Sequence, residues 1–505
     1  MRYSILVFFF FITIFHCDSQ SVRVVDYNCV DNQEMQIQRV LDNKQTIRNG
    51  AAFNRETSYV PIKFHLVADD DGLGRADIED VLDQLCSLNI EFEDTGLKFY
   101  LDNGFNLFNN PLVYESPTEA TSVAEMIRQK RRVGEESLNI FVTLNARQGD
   151  RENGTVLGFY SIENDWIVIR RNQIGNGENT LAHEIGHYFS LRHPHAGWET
   201  DPWEEARYGN PVLINRINGV QIELVDGSNC DTAGDQLCDT PPDYNFGFSW
   251  DQSCPPFNLN VQDRNGDTIV PQQNNYMSYF LGCEPYIFTD DQSNLMMAEY
   301  NSRRKSSIRT GYVPNQLEIA NTLELISPNN NTTAEFHNGV ELRWTAVENA
   351  ETYYVEIRSG SSEIIKFAKG TELYITELLP NKTYTWSVTP YNEGYTCADK
   401  KSRILKTNDE TTATIDPIFA ETVNVYPNPS QANQLLTVEI QSTTTLSGNI
   451  RLFSATGQLV YSQKQSIQSG NNSITLNLNH IKSGLYVLSL ATSEGNIDRK
   501  IIITN

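Results

Sequence analysis

Basic residues are scarce in this chain. Lys and Arg together number 39 against 64 Asp and Glu, which gives a net charge of −25 and a pI of about 4.7. Such a surface has no electrostatic means of following nucleic-acid phosphates or of settling on anionic lipid. Long apolar runs are absent after the first few residues. Met1 and Arg2 give a positive start, residues 5–15 are apolar apart from Thr13, and His16, Cys17, Asp18 and Ser19 close the segment. That run is too short to span a bilayer and reads as a signal peptide over residues 1–19. An exported mature chain without a transmembrane segment is expected. Cysteine is sparse too, at 8 residues, and Cys17 leaves with the signal peptide. Of the rest, Cys230, Cys238, Cys254 and Cys283 crowd together, while Cys29, Cys86 and Cys397 are scattered. In an exported protein the cluster reads as disulfides, and the odd count leaves at least one thiol free. No repeat of about 20–50 residues is evident.

What is present divides the 505 residues into about three folding units. Residues 20–57 are polar and read as an irregular N-terminal extension or pro-segment. From Tyr59 to about residue 312, strand-like runs (59–67, 97–101, 138–143, 166–169) alternate with helical spacing, as in Ile78, Val81, Leu82, Leu85 and Leu88. That alternation predicts a mixed α/β unit. Beyond about residue 315 the helical period disappears. Short alternating strands separated by Asn, Gly and Pro turns indicate a β-sandwich over 318–408, a Thr-rich acidic linker over 409–422, and a last all-β block over 423–505. The expected fold class is multidomain, an α/β (α+β) unit followed by two β-sandwiches.

The chemistry concentrates in Thr180-Leu-Ala-His-Glu-Ile-Gly-His-Tyr-Phe-Ser-Leu-Arg-His193. Asn179 or Thr180 suits a helix N-cap, and Leu181, Ile185, Tyr188 and Phe189 supply a buried side. His183 and His187, four residues apart, project from one helical face and suit one Zn²⁺. Glu184 lies one step round, able to reach a metal-activated water without ligating the metal. On a continuous helix His193 would face away after about 600° of rotation, so the helix must break near Ser190. Three imidazoles leave one coordination position open, as a catalytic zinc requires.

The pattern HExxHxxxxxH resembles the metzincin clan of zinc peptidases. Asn275-Tyr-Met-Ser-Tyr279 resembles the clan's Met-turn, which implies Met277 beneath the zinc and Tyr279 as a residue steadying the oxyanion. Cys230-Asp-Thr-Ala-Gly-Asp-Gln-Leu-Cys-Asp-Thr-Pro-Pro242, with Cys283 and Phe288-Thr-Asp-Asp-Gln292, is similar to the pappalysin branch over residues 58–312. The resemblance implies hydrolysis of protein or peptide substrates, one catalytic zinc, and bracing disulfides Cys254 with Cys283 and Cys230 with Cys238. It also implies structural calcium, on Asp235 and Thr240 first and on Asp263, Asn265 and Asp267 second. Glu184 would act as general base and then as proton donor to the leaving amine. One residue departs from the family pattern. Ser190 stands where Gly is usual, in a turn whose left-handed conformation costs a non-Gly residue about 1–2 kcal/mol. The alternative reading is therefore a catalytically inactive, metallopeptidase-like surface adhesin. Cys29 is either a zinc-capping cysteine switch or an ordinary thiol or disulfide partner.

The last two units carry their own resemblances. Leu342-Arg-Trp344, residues 378–386 and Val388-Thr-Pro-Tyr-Asn392 make 318–408 similar to a fibronectin type III domain. Val425-Tyr-Pro-Asn-Pro429, residues 452–460 and 484–490, and the basic-then-apolar end at 499–504 make 423–505 resemble the C-terminal sorting domain of type IX secretion. This implies the type IX machinery as a partner and a place outside a Gram-negative cell.

Overall fold

Tyr59, Val60, Ile62, Phe64, Leu66 and Val67 lie within one strand, Ser58–Ala68 (β1), that is buried along almost its whole length. A strand covered on both faces reads as a continuous apolar run and belongs inside a parallel sheet. In the computed structural model, β1 is the centre of a six-stranded sheet. It pairs in parallel with Leu97–Leu101 (β2) and Asn106–Asn109 (β3), end to end along one edge. On its other side lies Leu138–Thr143 (β4), also parallel. β4 pairs in parallel with Trp166–Arg170 (β6), and Gly158–Ser161 (β5) closes that edge as the one antiparallel strand. The structure describes residues 33–49, 57–115, 121–131, 136–146, 156–249, 253–319, 322–360, 362–410, 420–431, 434–442, 445–454, 458–478, 481–492 and 495–504. The signal-peptide reading of 1–19 and Cys29 lie outside these residues.

Ile78–Glu91 buries Ile78, Val81, Leu82, Leu85 and Leu88 against the sheet. Thr180–Tyr188 follows β6 and Asp290–Ser302 follows the Met277 segment. The last of these begins with a capping box, in which Thr289 and Gln292 satisfy each other's backbone N–H groups. Gln292 also exchanges hydrogen bonds with Asn275, tying residues 275–279 to the start of that helix.

The segment expected to be irregular contains a helix at Gln33–Arg48. Its buried residues are Arg39, Val40 and Asn43. A helix that buries polar side chains leaves no apolar period in the sequence, which is why periodicity missed it. These four helices are α1 (Gln33–Arg48), α2 (Ile78–Glu91), α3 (Thr180–Tyr188) and α4 (Asp290–Ser302), and α1 packs on α4.

Residues 322–410 form a five-stranded and a three-stranded sheet around one core that includes Trp344 and Trp386. Residues 420–504 form another three-stranded and five-stranded pair with a core of their own. The chain is thus multidomain, β-rich with some helices. The middle unit is held on the first. Tyr354 and Tyr391 join the first unit's core, Thr396 Oγ1 donates to Leu82 O at 2.7 Å, and Arg358 pairs with Asp77 at 2.5 Å. A disulfide joins Cys86 on α2 to Cys397. These two cysteines are scattered in sequence, 311 residues apart, and only the docking of the two units makes them neighbours.

Candidate functional site

The site grows out of the way α3 ends. Asn179 is the N-cap residue by position, but no side chain caps the helix; Thr180 Oγ1 turns instead to Gln173 Oε1 at 2.7 Å. At the other end, Ser190 N donates to His187 O at 3.0 Å and Leu191 N donates to Gly186 O at 2.9 Å. Together with a left-handed Ser190 (φ 71°), this is a Schellman turn. The expected conformation at residue 190 is therefore adopted by serine. The chain reverses there and returns His193 to the face carrying His183 and His187.

The three Nε2 atoms form a nearly equilateral triangle. His183 and His187 are separated by 3.1 Å, His187 and His193 by 3.1 Å, and His183 and His193 by 3.2 Å. His183 Nδ1 lies 2.8 Å from Tyr276 O and His187 Nδ1 lies 2.8 Å from Leu191 O. Carbonyl oxygens only accept, so both Nδ1 atoms carry the proton and both Nε2 atoms present lone pairs. His193 Nδ1 faces Glu199 Oε1 at 3.6 Å. Burial lowers the pKa of His183 to about 4 and holds His187 and His193 well below the usual imidazole range, so all three are neutral at neutral pH. Lone pairs aimed at one another repel unless a cation lies among them. Sides of 3.1–3.2 Å put the equidistant point about 1.8 Å from each nitrogen (side divided by √3), just inside the ~2.0–2.1 Å of a zinc–imidazole bond. The donor set of three neutral, converging imidazole nitrogens fits zinc, which His183, His187 and His193 would hold.

Around this triangle, Glu184 is buried beside His183 on α3 and packs against Gly158 of the edge strand β5. Tyr279 is buried with its ring 4.9 Å from that of His193 and 6.0 Å from that of His183. Met277 is fully buried under α3 at Gly186, where an added Cβ would meet its Sδ at 2.4 Å.

Sequence reasoning missed three residues here. Glu199 orients near His193 and anchors the following turn by accepting from Gly197 N at 2.7 Å. His195 is fully buried, stacks on His193 at 4.6 Å, lies 4.3 Å from Tyr279, and has Asp243 Oδ2 at 3.8 Å. His195 stands two residues after His193, but a pattern of three ligands and one open position assigns no role to a fourth imidazole. Glu223 belongs to the loop below.

That loop is stapled by Cys230–Cys238, and the 275–283 segment by Cys254–Cys283. Asp235 is buried; its carboxylate accepts from Thr240 Oγ1 at 2.9 and 3.0 Å and from Leu237 N at 3.0 Å. Glu223 points its Oε2 at Gly234, where an added Cβ would meet it at 2.5 Å. This oxygen is buried and finds no hydrogen-bond partner among the described residues. Burial raises the pKa of both carboxylates, and the charge of Asp235 raises that of Glu223 further. An unsatisfied carboxylate oxygen beside a second acidic group fits a hard cation such as calcium. Asp263 is different. Its oxygens accept from Val225 N, Asn265 N and Asp267 N at 2.9–3.0 Å, so the Asp263–Asp267 turn is closed by its own backbone.

Residues 424–504 match the family described as the secretion system C-terminal sorting domain. Curated proteins compared with the chain contain no match. Among solved structures, the fibronectin(III)-like modules of Clostridium thermocellum CbhA align at 11% identity and a TM-score of 0.14, covering 36% of this chain and 93% of theirs. Dimeric latent PorU from Porphyromonas gingivalis aligns at 16% identity and a TM-score of 0.15, covering 39% of this chain and 22% of PorU. Neither likeness is close enough to bear on this chain's fold or chemistry. No helix of the described residues is long and apolar enough to cross a membrane. The chain ends in a type IX secretion C-terminal sorting domain and is an exported protein, released or held at the cell surface.

Proposed function

We propose that the protein is a secreted zinc-dependent endopeptidase, metzincin-like and resembling the pappalysins in its motifs, that hydrolyses peptide bonds of protein substrates. The observation that carries this reading is the triangle of His183, His187 and His193 Nε2 atoms, 3.1–3.2 Å apart. Two of its members have their Nδ1 protons committed to carbonyls. When bound, zinc supplies a Lewis acid and makes water a nucleophile at neutral pH. The chain's own residues do the rest. Tyr276 O and Leu191 O fix the imidazole tautomers, as carbonyl partners of ligating histidines do. Glu184 takes the proton from water and later returns it to the leaving amine. Tyr279 stands beside the histidines, where its phenol can donate to the developing oxyanion. Glu223, Asp235 and Thr240 hold calcium as a brace for the stapled loop. The middle β-unit, fibronectin type III-like in its sequence, is a docked companion of the catalytic unit.

Cleavage of casein and gelatin by the mature chain, beside Glu184→Ala, tests the proposal. Wild-type cleavage should fall by about 10²–10⁴-fold in the variant, with one zinc retained by each. Zinc-free wild-type protein without cleavage would leave the adhesin.

A further inference from the structure

Ser190 holds a left-handed backbone (φ 71°) at the turn that returns His193 to the site, a conformation that favours glycine. Something must hold serine there, and the structure shows what does. Asn43 of α1 is fully buried and its Nδ2 donates to Ser190 Oγ at 2.9 Å. The same amide donates to Glu299 Oε2 at 2.7 Å and accepts from Ser302 Oγ at 3.0 Å, so its orientation is fixed from both ends. One turn earlier on α1, buried Arg39 donates to Tyr188 O at 2.7 Å and to Glu299 Oε1 at 2.6 Å. Arg304 donates to the same Tyr188 carbonyl at 2.6 Å and lies 3.7 Å over the Tyr188 ring. Tyr188 O is an orphan carbonyl at the negative end of α3, where cationic donors are most favourable. Residues 188–190 are thus gripped by Arg39 and Asn43 of α1 and by Arg304 just after α4, while Glu299 and Ser302 of α4 hold the two α1 side chains in place. Leu191, whose carbonyl orients His187, and His193 follow directly.

We propose that α1 is a permanent part of the metal site, with Asn43 and Arg39 as positioning residues that set the Ser190 turn and through it the placement of His193. The N-terminal segment is then not discarded whole as a pro-segment: maturation stops before Gln33. This rests on the zinc reading above. The grip takes over, at serine, the role that glycine's conformational freedom would otherwise play.

The test is a double-mutant cycle in the full mature chain between Asn43→Ala and Ser190→Gly, read by zinc affinity in chelator competition and by thermal melting of the metal-free protein. With Ser190 present, Asn43→Ala should weaken zinc binding about 5- to 30-fold and lower the melting midpoint. With Ser190→Gly, the same substitution should change affinity less than about 3-fold, because glycine needs no restraint. Equal losses in both backgrounds would overturn the proposal, since Asn43 would then serve general stability only. N-terminal sequencing of active secreted protein supplies a second decision. A start beyond Arg48 would refute the proposal outright, and a start before Gln33 supports it. If wild type binds no zinc, the zinc reading fails while the melting cycle still decides the grip on Ser190.

Discussion

Gly186 lies between His183 and His187, on the side of α3 that faces Met277. In an ordinary helix interior, Gly→Ala stabilises by about 0.8–1 kcal/mol. Here the added methyl would meet Met277 Sδ at 2.4 Å, Met277 Cε at 3.2 Å and Leu191 Cδ1 at 3.4 Å. Met277 is itself fully buried, so its thioether can give way only by shifting within the core. Forcing a methyl into a packed core typically costs about 1–3 kcal/mol. The net expectation for Gly186→Ala is a loss of up to about 2 kcal/mol, or up to roughly 8 °C in melting temperature for a unit of this size. Zinc affinity should fall as well, because the methyl displaces the helix segment carrying two of the ligands. Melting curves and chelator competition on Gly186→Ala, Met277→Ala and the double variant make the assay. The double variant should recover more than about 1 kcal/mol relative to the sum of the singles, as contacting residues do. A Gly186→Ala protein at least as stable as wild type, with unchanged zinc affinity, would refute the packing of Met277 beneath the site.

Two further outcomes follow from buried titratable groups. His65 is fully buried between Asn139 Oδ1 and Asn106 Nδ2, both at 2.8 Å, which fixes a neutral imidazole. Burial lowers its pKa from 6.5 to about 4. Unfolding therefore takes up a proton between these values, so stability is complete above pH 6.5 and falls by about 3 kcal/mol as pH drops to 4. Denaturant titrations should give a flatter profile over that window for His65→Gln than for wild type. Parallel profiles would exclude His65 as the cause. In the stapled loop, Glu223 and Asp235 have raised pKa values, so without a cation the fold loses stability as pH rises above the ordinary carboxylate range. Adding ~1 mM calcium should raise the melting temperature more at pH 8 than at pH 5. Glu223→Gln should abolish that rise and leave zinc content intact; an undiminished calcium response would remove Glu223 from the site.

Much of the fold was legible because the first sheet is parallel. β1, β2, β4 and β6 are buried apolar runs, and α2 shows its apolar spacing, so each announces itself locally. The spacing of His183 and His187 determined a shared helical face with Glu184 one step round it, and the distance to His193 determined that the helix must break. Helical rise and rotation are local properties of the chain, which is why residue spacing sufficed. Other features had no local signature. α1 buries Arg39, Val40 and Asn43, so its helicity depends on partners more than 100 residues away, Tyr188, Ser190 and Glu299. Cys86 and Cys397 meet only because two separately folded units dock. Glu223 became a companion of Asp235 only when Gly234 let its carboxylate approach. The sequence by itself determined the chemical groups and the local periodicities. Tertiary structure decided which distant side chains complete them, because burial and hydrogen bonding of polar groups depend on neighbours that the chain brings together only on folding.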